Sequence, residues 1–202
     1  MAKVERALLV RHGQTDWNVE GRWQGHYPTG LNADGFAQAA ALADMLRGRP
    51  IGAIVSSDLP RAYQTAEAIG AVAGLTPLAD VQWREFHLGV FQGFTREQIE
   101  EQYPNEWSAF RADYWNYVVP GGESRRGLQR RVFTAWQQLV AQDKGPEVVI
   151  VSHGGSIRML LAALFEGDPA LSQLHIENTS VTTVERSGDG WRLVNVASVD
   201  HL

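Results

Sequence analysis

Two histidines in this sequence share one local context, with a short apolar run on one side and a glycine on the other. The two stretches are residues 8–13, which contain His12, and residues 149–154, which contain His153. Short apolar runs of this kind are typical of buried strands in a parallel sheet. The carboxyl ends of parallel strands lie along one edge, and ligands bind in the crevice there. We therefore expect both imidazoles to face a common crevice.

Two arginines belong to the same predicted edge. Arg11 immediately precedes His12, and Arg61 lies near the start of the helix that follows another short apolar run, residues 53–55. Guanidinium groups match phosphate oxygens in bidentate fashion. With His153, these side chains predict one cationic cluster suited to phosphoryl transfer, in which positioning and charge stabilisation supply most of the catalysis.

The remaining histidines are interpreted as structural, because a single histidine near a strand or in a loop is more often packed or solvated than catalytic. They are His26, His87, His175 and His201. A repeated His-Gly pair with arginines beside it is much harder to explain by packing. The repeated context therefore favours a functional role for His12 and His153.

His12 is the predicted nucleophile. It must be unprotonated to attack phosphorus, and the neighbouring Arg11 and Arg61 would lower its pKa and keep it neutral. The expected intermediate is a phosphohistidine on His12. A protonated His153 would add a third donor to the phosphate oxygens.

The elements that must position these residues alternate between strands and helices. Strands are expected over residues 7–10, 53–55 and 148–151, with helices of ten or more residues between them. The predicted fold class is α/β, a single-domain three-layer sandwich with a mainly parallel sheet flanked by helices. Residues 181–185 and 192–199 should add an antiparallel hairpin, because Gly188-Asp189-Gly190 favours a tight turn.

Capping residues predict where the helices begin. Asn32 or Asp34 would cap a helix that ends at about Arg47. Asp58 would cap the helix that contains Arg61, and Ser124 would cap a helix that ends at about Gln142. One more helix should run over residues 154–165. Residues 95–117 should form two short helical stretches interrupted by Pro104. We treat the chain as one domain, residues 1–202, with a lid insertion at about 94–123, and expect residues 78–93 to be irregular.

Composition limits the classes of function. The chain has 202 residues, 44% hydrophobic content, no cysteine and a net charge of -5. The absence of cysteine excludes thiolate chemistry. The net negative charge argues against binding to nucleic acid or to an anionic membrane. Any anionic ligand must therefore be small and held by a local cluster of charges. No run is long enough to span a bilayer, so a cytoplasmic location is the default. No cofactor is expected, and the chain could form a homodimer.

Five segments, in order, resemble the histidine phosphatase superfamily, the phosphoglycerate mutase-like proteins, and within it the phosphatases. They are Arg-His-Gly-Gln-Thr-Asp-Trp-Asn at 11–18, the helix around Arg61 at 56–66, residues 84–93, Pro-Gly-Gly-Glu-Ser at 120–124 and Ser-His-Gly-Gly at 152–155. The matches span nearly the whole chain. The resemblance implies the predicted fold and a phosphomonoesterase of the histidine acid or broad type.

The resemblance also assigns roles that the spacing does not give. Glu85 is implied as the acid that protonates the leaving alkoxide and as the base that then activates water. Neighbouring arginines favour its ionised form, whereas a bound dianionic phosphate favours its protonated form. Asn18, together with backbone groups near Gln24, Gly25 and Gly154, is implied as binding phosphate. No metal is expected.

Three alternatives stay open. The first is a cofactor-dependent phosphoglycerate mutase, which is disfavoured by the short stretch between Gly93 and Gly121 and by Gly155, where mutases usually carry asparagine. The second is a non-catalytic phosphate-binding module. The third is a metal site built from His12 and His153, which two adjacent arginines would disfavour by repelling a cation. The substrate also stays open between glucosyl-phosphoglycerate, phosphoglycerate, α-ribazole phosphate and a broad set.

Several polar and aromatic residues receive structural interpretations. Glu123 and Ser124 are read as a helix cap rather than a catalytic pair. The arginines at helical spacing after them are read as a solvated face, with one able to reach the lid; they are Arg125, Arg126, Arg130 and Arg131. Four aromatics of the insertion could line the substrate pocket or pack the lid; they are Trp107, Phe110, Tyr114 and Trp115.

Overall fold

The computed structural model describes residues 4–165 and 169–202. Within them six strands form one sheet, in the order β3-β2-β4-β1-β5-β6. The strands are β1 (Arg6–Arg11), β2 (Ile51–Ser56), β3 (Leu78–Ala79), β4 (Glu147–Ser152), β5 (Val181–Ser187) and β6 (Gly190–Ser198). The first four pair in parallel, whereas β5 runs antiparallel to β1 and β6 antiparallel to β5. The predicted parallel sheet with a hairpin at one edge is confirmed.

Helices cover both faces of this sheet. They are α1 (Asp16–Val19), α2 (Ala33–Met45), α3 (Pro60–Ala73), α4 (Arg96–Gln102), α5 (Pro104–Ala112), α6 (Arg125–Val140) and α7 (Gly154–Leu164). Single 3₁₀ turns lie at Val81–Trp83, Gly89–Phe91 and Pro169–Gln173. The helices α2 and α3 pack together, and so do α6 and α7. The predicted three-layer sandwich is therefore confirmed.

Alternation along the central strands divides the core in two. Leu8 and Val10 of β1 pack in the cluster that contains Leu42 of α2 and Ile69 of α3. Leu9 instead packs in the cluster that holds the apolar faces of α6 and α7. Strands covered on both faces need apolar residues at nearly every position, which explains the continuous runs in the sequence.

Aromatic rings of the predicted insertion, residues 94–123, pack into one cluster with Trp23 and Phe91. The helices of the insertion, α4 and α5, meet at Pro104, as the sequence predicts. The ring of Phe110 lies within 5.9 Å of those of Trp23, Phe91 and Trp107. Edge-to-face and stacked rings of this kind pack a small core firmly.

Several local predictions are wrong in detail. Asp58 does not cap α3, which follows Leu59 without any side-chain cap, because the Asp58 carboxylate pairs with Arg84 at 2.6 Å. The loop after β1 contains the one-turn helix α1, capped by Thr15. The stretch expected to be irregular contains β3 and two 3₁₀ turns.

Other caps agree with the sequence. Asn32 caps α2 and Ser124 caps α6, each by accepting a hydrogen bond from a backbone N–H one turn later. The helices end at Met45 and Val140, two residues before the predicted ends. In the described part of the chain, no helix is long and apolar enough to cross a membrane.

Candidate active site

The register of β1 and β4 brings the two His-Gly segments side by side. Arg11 and Ser152 are direct partners in the parallel ladder, so the next residues, His12 and His153, leave the sheet together. The N–H of His12 donates to the carbonyl of Ser152 at 3.0 Å, and the imidazole centroids are 5.1 Å apart. The two histidines are neighbours, as predicted, but of the two only His12 lines the cavity described below.

His12 is neutral and directed by one hydrogen bond. Its side chain is almost fully buried, and Nδ1 lies 2.7 Å from the carbonyl oxygen of Gly13. A carbonyl only accepts, so Nδ1 carries the proton and Nε2 keeps a lone pair. Burial, then the charges of Arg61 and Arg11, hold the pKa of His12 well below its usual range. The residue thus has the properties of a nucleophile near neutral pH.

Arg61 is fully buried in the first turn of α3. It donates to the carbonyl oxygens of Tyr27 and Gly25 at 2.9 and 2.8 Å, and its buried Nε has no hydrogen-bond partner. Burial lowers its pKa to about 10, with a further contribution from Arg11. The guanidinium is thus charged at neutral pH and keeps a free donor.

Arg11 reaches the same cavity from the end of β1. Its Nη1 donates to the carbonyl of Ile176 at 2.6 Å. Burial lowers its pKa, while Glu85 raises it. Among the described residues, neither Arg11 nor Arg61 forms an ion pair with a carboxylate. Two cations without an acidic partner beside a neutral imidazole form an anion site.

The burial and protonation of His153 differ from what the sequence predicts. It is fully buried behind His12, and its Nε2 lies 2.9 Å from the hydroxyl of Ser57. Burial and the charge of Arg61 hold the pKa of His153 well below its usual range, so the expectation of a protonated third donor is wrong for the ligand-free protein. Its buried Nδ1 has no partner. The cavity wall next to it is formed by Gly154.

Glu85 is held by backbone N–H groups at the start of α7. Its Oε1 accepts from Phe86 and Ser156 at 2.8 and 3.1 Å, and its Oε2 accepts from Gly155 at 3.0 Å. A Cβ atom at position 155 would lie 2.3 Å from Oε1. Glycine at position 155 therefore leaves the space that this carboxylate occupies.

The backbone around Glu85 is held by α6. Arg131 donates to the carbonyls of Gln82, Arg84 and Glu85 at 2.8, 2.9 and 3.1 Å, and its Nη2 binds Glu123 Oε1 at 2.6 Å. The same Glu123 oxygen accepts the N–H of His87. The prediction that Arg131 belongs to a solvated face is wrong.

The other predicted ligands lie around the same cavity. Asn18, Gln24, Gly25 and Gly154 all line it. The Oδ1 of Asn18 accepts from the N–H and hydroxyl of Thr15 at 3.1 Å, which leaves its amide N–H groups for a ligand. The structure therefore brings the predicted site residues together, and their roles in binding and catalysis stay predictions.

The cavity has a volume of about 320 Å³. Sequence reasoning missed part of its wall, and the residues missed are Arg22, Trp23, Phe86, Leu88, Leu128, Arg158, Met159, His175 and Ile176. Among the aromatics of the insertion, Phe110 and Tyr114 line the cavity, and so does Arg125. Arg125 therefore reaches the lid, which the prediction allowed for one arginine of the solvated face. Periodicity could not identify these residues, because they come from separate segments.

Residues 4–165 and 169–202 contain no group of three or more His, Asp or Glu side chains that could hold a metal ion.

Thr179 has a left-handed backbone with φ +56°, which is uncommon for a β-branched residue. Its N–H donates to the carbonyls of Arg11 and His12 at 3.0 and 3.3 Å. The backbone of the predicted nucleophile is thus fixed by Ser152, which accepts its N–H, and by Thr179 and Asn178, which donate to its carbonyl oxygen.

Known proteins resemble the chain over most of its length. It is 41% identical over 174 residues to the glucosyl-3-phosphoglycerate phosphatase of Mycobacterium tuberculosis, covering 81% of this chain and 77% of that protein. It is 35% identical to the metal-independent phosphoserine phosphatase of Arabidopsis thaliana, covering 100% and 84%. A solved structure of the mycobacterial glucosyl-3-phosphoglycerate phosphatase with VO3 superposes with a TM-score of 0.83 at 40% identity, covering 95% and 98%. The model of the histidine phosphatase superfamily (branch 1) matches residues 7–198, and the chain belongs to that superfamily.

Proposed function

We propose that the chain is a metal-independent phosphomonoesterase, which hydrolyses a small phosphorylated metabolite through a phosphohistidine on His12. One observation carries this proposal: a neutral imidazole, with its Nδ1 proton committed to Gly13, lies beside two arginines without acidic partners. Such a site attracts a phosphate dianion and offers it a lone pair.

In the first half-reaction, Nε2 of His12 attacks phosphorus and the bond from phosphorus to the ester oxygen breaks. Arg11 and Arg61 stabilise charge on the equatorial oxygens. A sugar or glycerate alkoxide is a poor leaving group, so it takes a proton from Glu85 as it departs. The products are an alcohol and phosphorylated His12.

In the second half-reaction, Glu85 removes a proton from water as the water oxygen attacks phosphorus. The bond between nitrogen and phosphorus breaks, and inorganic phosphate leaves. His12 returns to its neutral form and Glu85 regains its proton. In this scheme His153 packs against His12 from behind, and its buried Nδ1 has no hydrogen-bond partner.

The relatives support a phosphatase and narrow the substrate. Their names specify glucosyl-3-phosphoglycerate and phosphoserine, both small phosphomonoesters. A cavity of about 320 Å³ accommodates a metabolite of this size. Phosphatase activity is therefore proposed on small alkyl phosphates.

The covalent intermediate is the direct test. Rapid quench without acid, using labelled substrate, should place acid-labile, alkali-stable phosphate on the peptide that contains His12. His12→Gln should abolish the label and turnover, and retained binding of inorganic phosphate would show that this variant is folded. Label on a serine or aspartate, or turnover without His12, would contradict the mechanism.

Metal independence and reaction type are tested separately. Activity should survive excess EDTA, because the arginines supply the positive charge that a metal would otherwise provide. Activity that returns only with a divalent ion would refute metal independence.

With phosphoglycerate and a trace of bisphosphoglycerate, phosphate release should exceed isomer interconversion. Dominant interconversion would instead identify a mutase.

A further inference from the structure

Two arginines of the cavity are not explained by the phosphate site. Arg125 is the first residue of α6 and Arg158 lies in the middle of α7, and both line the cavity. In the described parts of the chain, neither is within ion-pairing distance of a carboxylate. Most other arginines are, namely Arg6, Arg22, Arg47, Arg49, Arg84, Arg96, Arg131 and Arg192. Among the described residues Arg111, Arg126, Arg130 and Arg186 also form no ion pair, but none of them lines the cavity as Arg125 and Arg158 do.

Aromatic rings fix the orientation of Arg125. Its guanidinium carbon lies 3.9 Å from the ring centroid of Phe110 and 4.0 Å from that of Tyr114. Its Nη1 donates to the carbonyl of Tyr114 at 2.8 Å. Rings that contact the plane of a guanidinium leave its edge as the part that can bind a ligand. This edge presents coplanar N–H groups, the geometry that matches a carboxylate.

Arg158 connects this edge to the phosphate site. It lines the same cavity as Arg11 and Arg125. Burial lowers the pKa of both of these arginines, and the charge of Arg158 adds to the effect. Its Nη1 makes one long hydrogen bond, 3.3 Å, to the carbonyl of Leu174. Arg22, by contrast, is already bound to Glu20 and to the carbonyl of Gly93. Arg125 and Arg158 are thus the cations of this wall that remain without a counter-charge.

We propose that Arg125 and Arg158 form a second anion subsite, which binds a carboxylate carried by the phosphomonoester substrate. The inference rests on the proposed function and deepens it, since it names the class of substrate. The walls beside these arginines are apolar, from Phe86, Phe110, Leu128 and Met159. Such surroundings suit a compact monoanion better than a second phosphate dianion, whose desolvation costs more.

A matched pair of substrates tests the subsite. In 3-phosphoglycerate and glycerol 3-phosphate the phosphate ester is the same primary alkyl type, but only the first carries a carboxylate. The native protein should prefer 3-phosphoglycerate in kcat/KM by at least about tenfold, the worth of one charge-assisted hydrogen bond. Arg125→Gln should reduce this preference to near one, mainly through KM. Arg125→Lys should give an intermediate preference, because lysine keeps the charge and loses the planar fork.

The neighbouring Arg126 is the control. It is exposed, it stacks on Trp115 at 4.8 Å and it does not line the cavity, so Arg126→Gln should keep the preference. An unchanged preference in Arg125→Gln and Arg125→Lys would refute the proposal. Tighter, Arg125-dependent binding of a glycerol bisphosphate would assign the subsite to phosphate and overturn the carboxylate assignment.

The outcome for the proposed function can be read separately. If no phosphomonoester is hydrolysed, that function fails. Calorimetric titration with 3-phosphoglycerate and glycerol 3-phosphate then still tests the subsite. An Arg125-dependent difference in Kd would support it, and equal Kd values would refute it.

Discussion

At the scale of single residues, the environment of Glu85 defines where its proton can sit. A carboxylate has about four lone-pair positions, and backbone N–H groups fill two on Oε1 and one on Oε2. The remaining position on Oε2 is the one that can carry a proton to a leaving group. The contacts that hold the residue therefore also select which oxygen reacts.

Glu85→Gln should impair alkyl phosphates more than nitrophenyl phosphate. The amide cannot protonate an alkoxide, so single-turnover cleavage of an alkyl phosphate should fall by about 10²–10⁴. Nitrophenolate leaves without a proton, so its release should show a burst followed by slow turnover as phosphohistidine accumulates. Equal losses for both substrates in the first step would mean that Glu85 only shapes the pocket.

At the scale of elements, α6 is linked to catalysis through Arg131. This side chain binds three carbonyls of the segment that carries Glu85, together with Glu123. It does not line the cavity and is therefore a positioning residue. The segment it holds contains no long helix or strand that could fix Glu85 by its own backbone pairing.

Arg131→Lys should disturb the position of Glu85 without removing it. A lysine has one ammonium group and cannot bind three carbonyls and a carboxylate in one plane. We expect kcat for alkyl phosphates to fall by about tenfold or more, with less effect on nitrophenyl phosphate and little on KM. Arg130→Gln, at an exposed position of the same helix, is the matched control. A uniform loss on both substrates would instead indicate general destabilisation.

The sequence predicted elements that depend on local signals. Ser124 caps its helix, Pro104 separates α4 from α5, and the hairpin turns at Gly188 as expected, because turn and cap chemistry acts over a few residues. Asp58 failed as a cap because a tertiary ion pair with Arg84 competes for its carboxylate.

The residues of the candidate site likewise divide into those that the sequence pattern predicts and those that depend on contacts between distant segments. Arg11, His12 and Arg61 could be predicted because the carboxyl edge of a parallel sheet follows from strand order. Glu85 followed only from the family resemblance, since its segment has no periodicity. Arg131 was misassigned because helical spacing does not reveal which partners another segment brings to a helix.

At the scale of the whole molecule, two buried neutral histidines link stability to pH. Burial lowers the pKa of both His12 and His153 far below the unfolded value of 6.5. The unfolded chain therefore binds more protons than the native protein once the pH falls below that value. Their contribution to stability is complete above pH 6.5 and is lost progressively as the pH decreases.

Denaturant unfolding at several pH values checks this link. Below pH 6.5 the free energy of unfolding should fall, and the slope for each histidine should approach about 1.4 kcal/mol per pH unit near about pH 5.5, where the unfolded imidazole is almost fully protonated. His12→Gln should remove about half of the combined slope. A free energy that stays constant through this range would show that both imidazoles accept protons in the native protein.

The strand order also determines when the fold can form during synthesis. The strand β4 lies between β1 and β2, although it is made about ninety residues after β2. A nascent chain that ends before Glu147 contains β1 and β2 but not β4. The strand edges that β4 pairs with in the complete protein therefore stay exposed. Insertion of β4 joins β1 to β2 and brings His153 beside His12 in one event. Ribosome-bound chains should therefore gain protease resistance and phosphate binding together, and only after the seventh helix has left the exit tunnel.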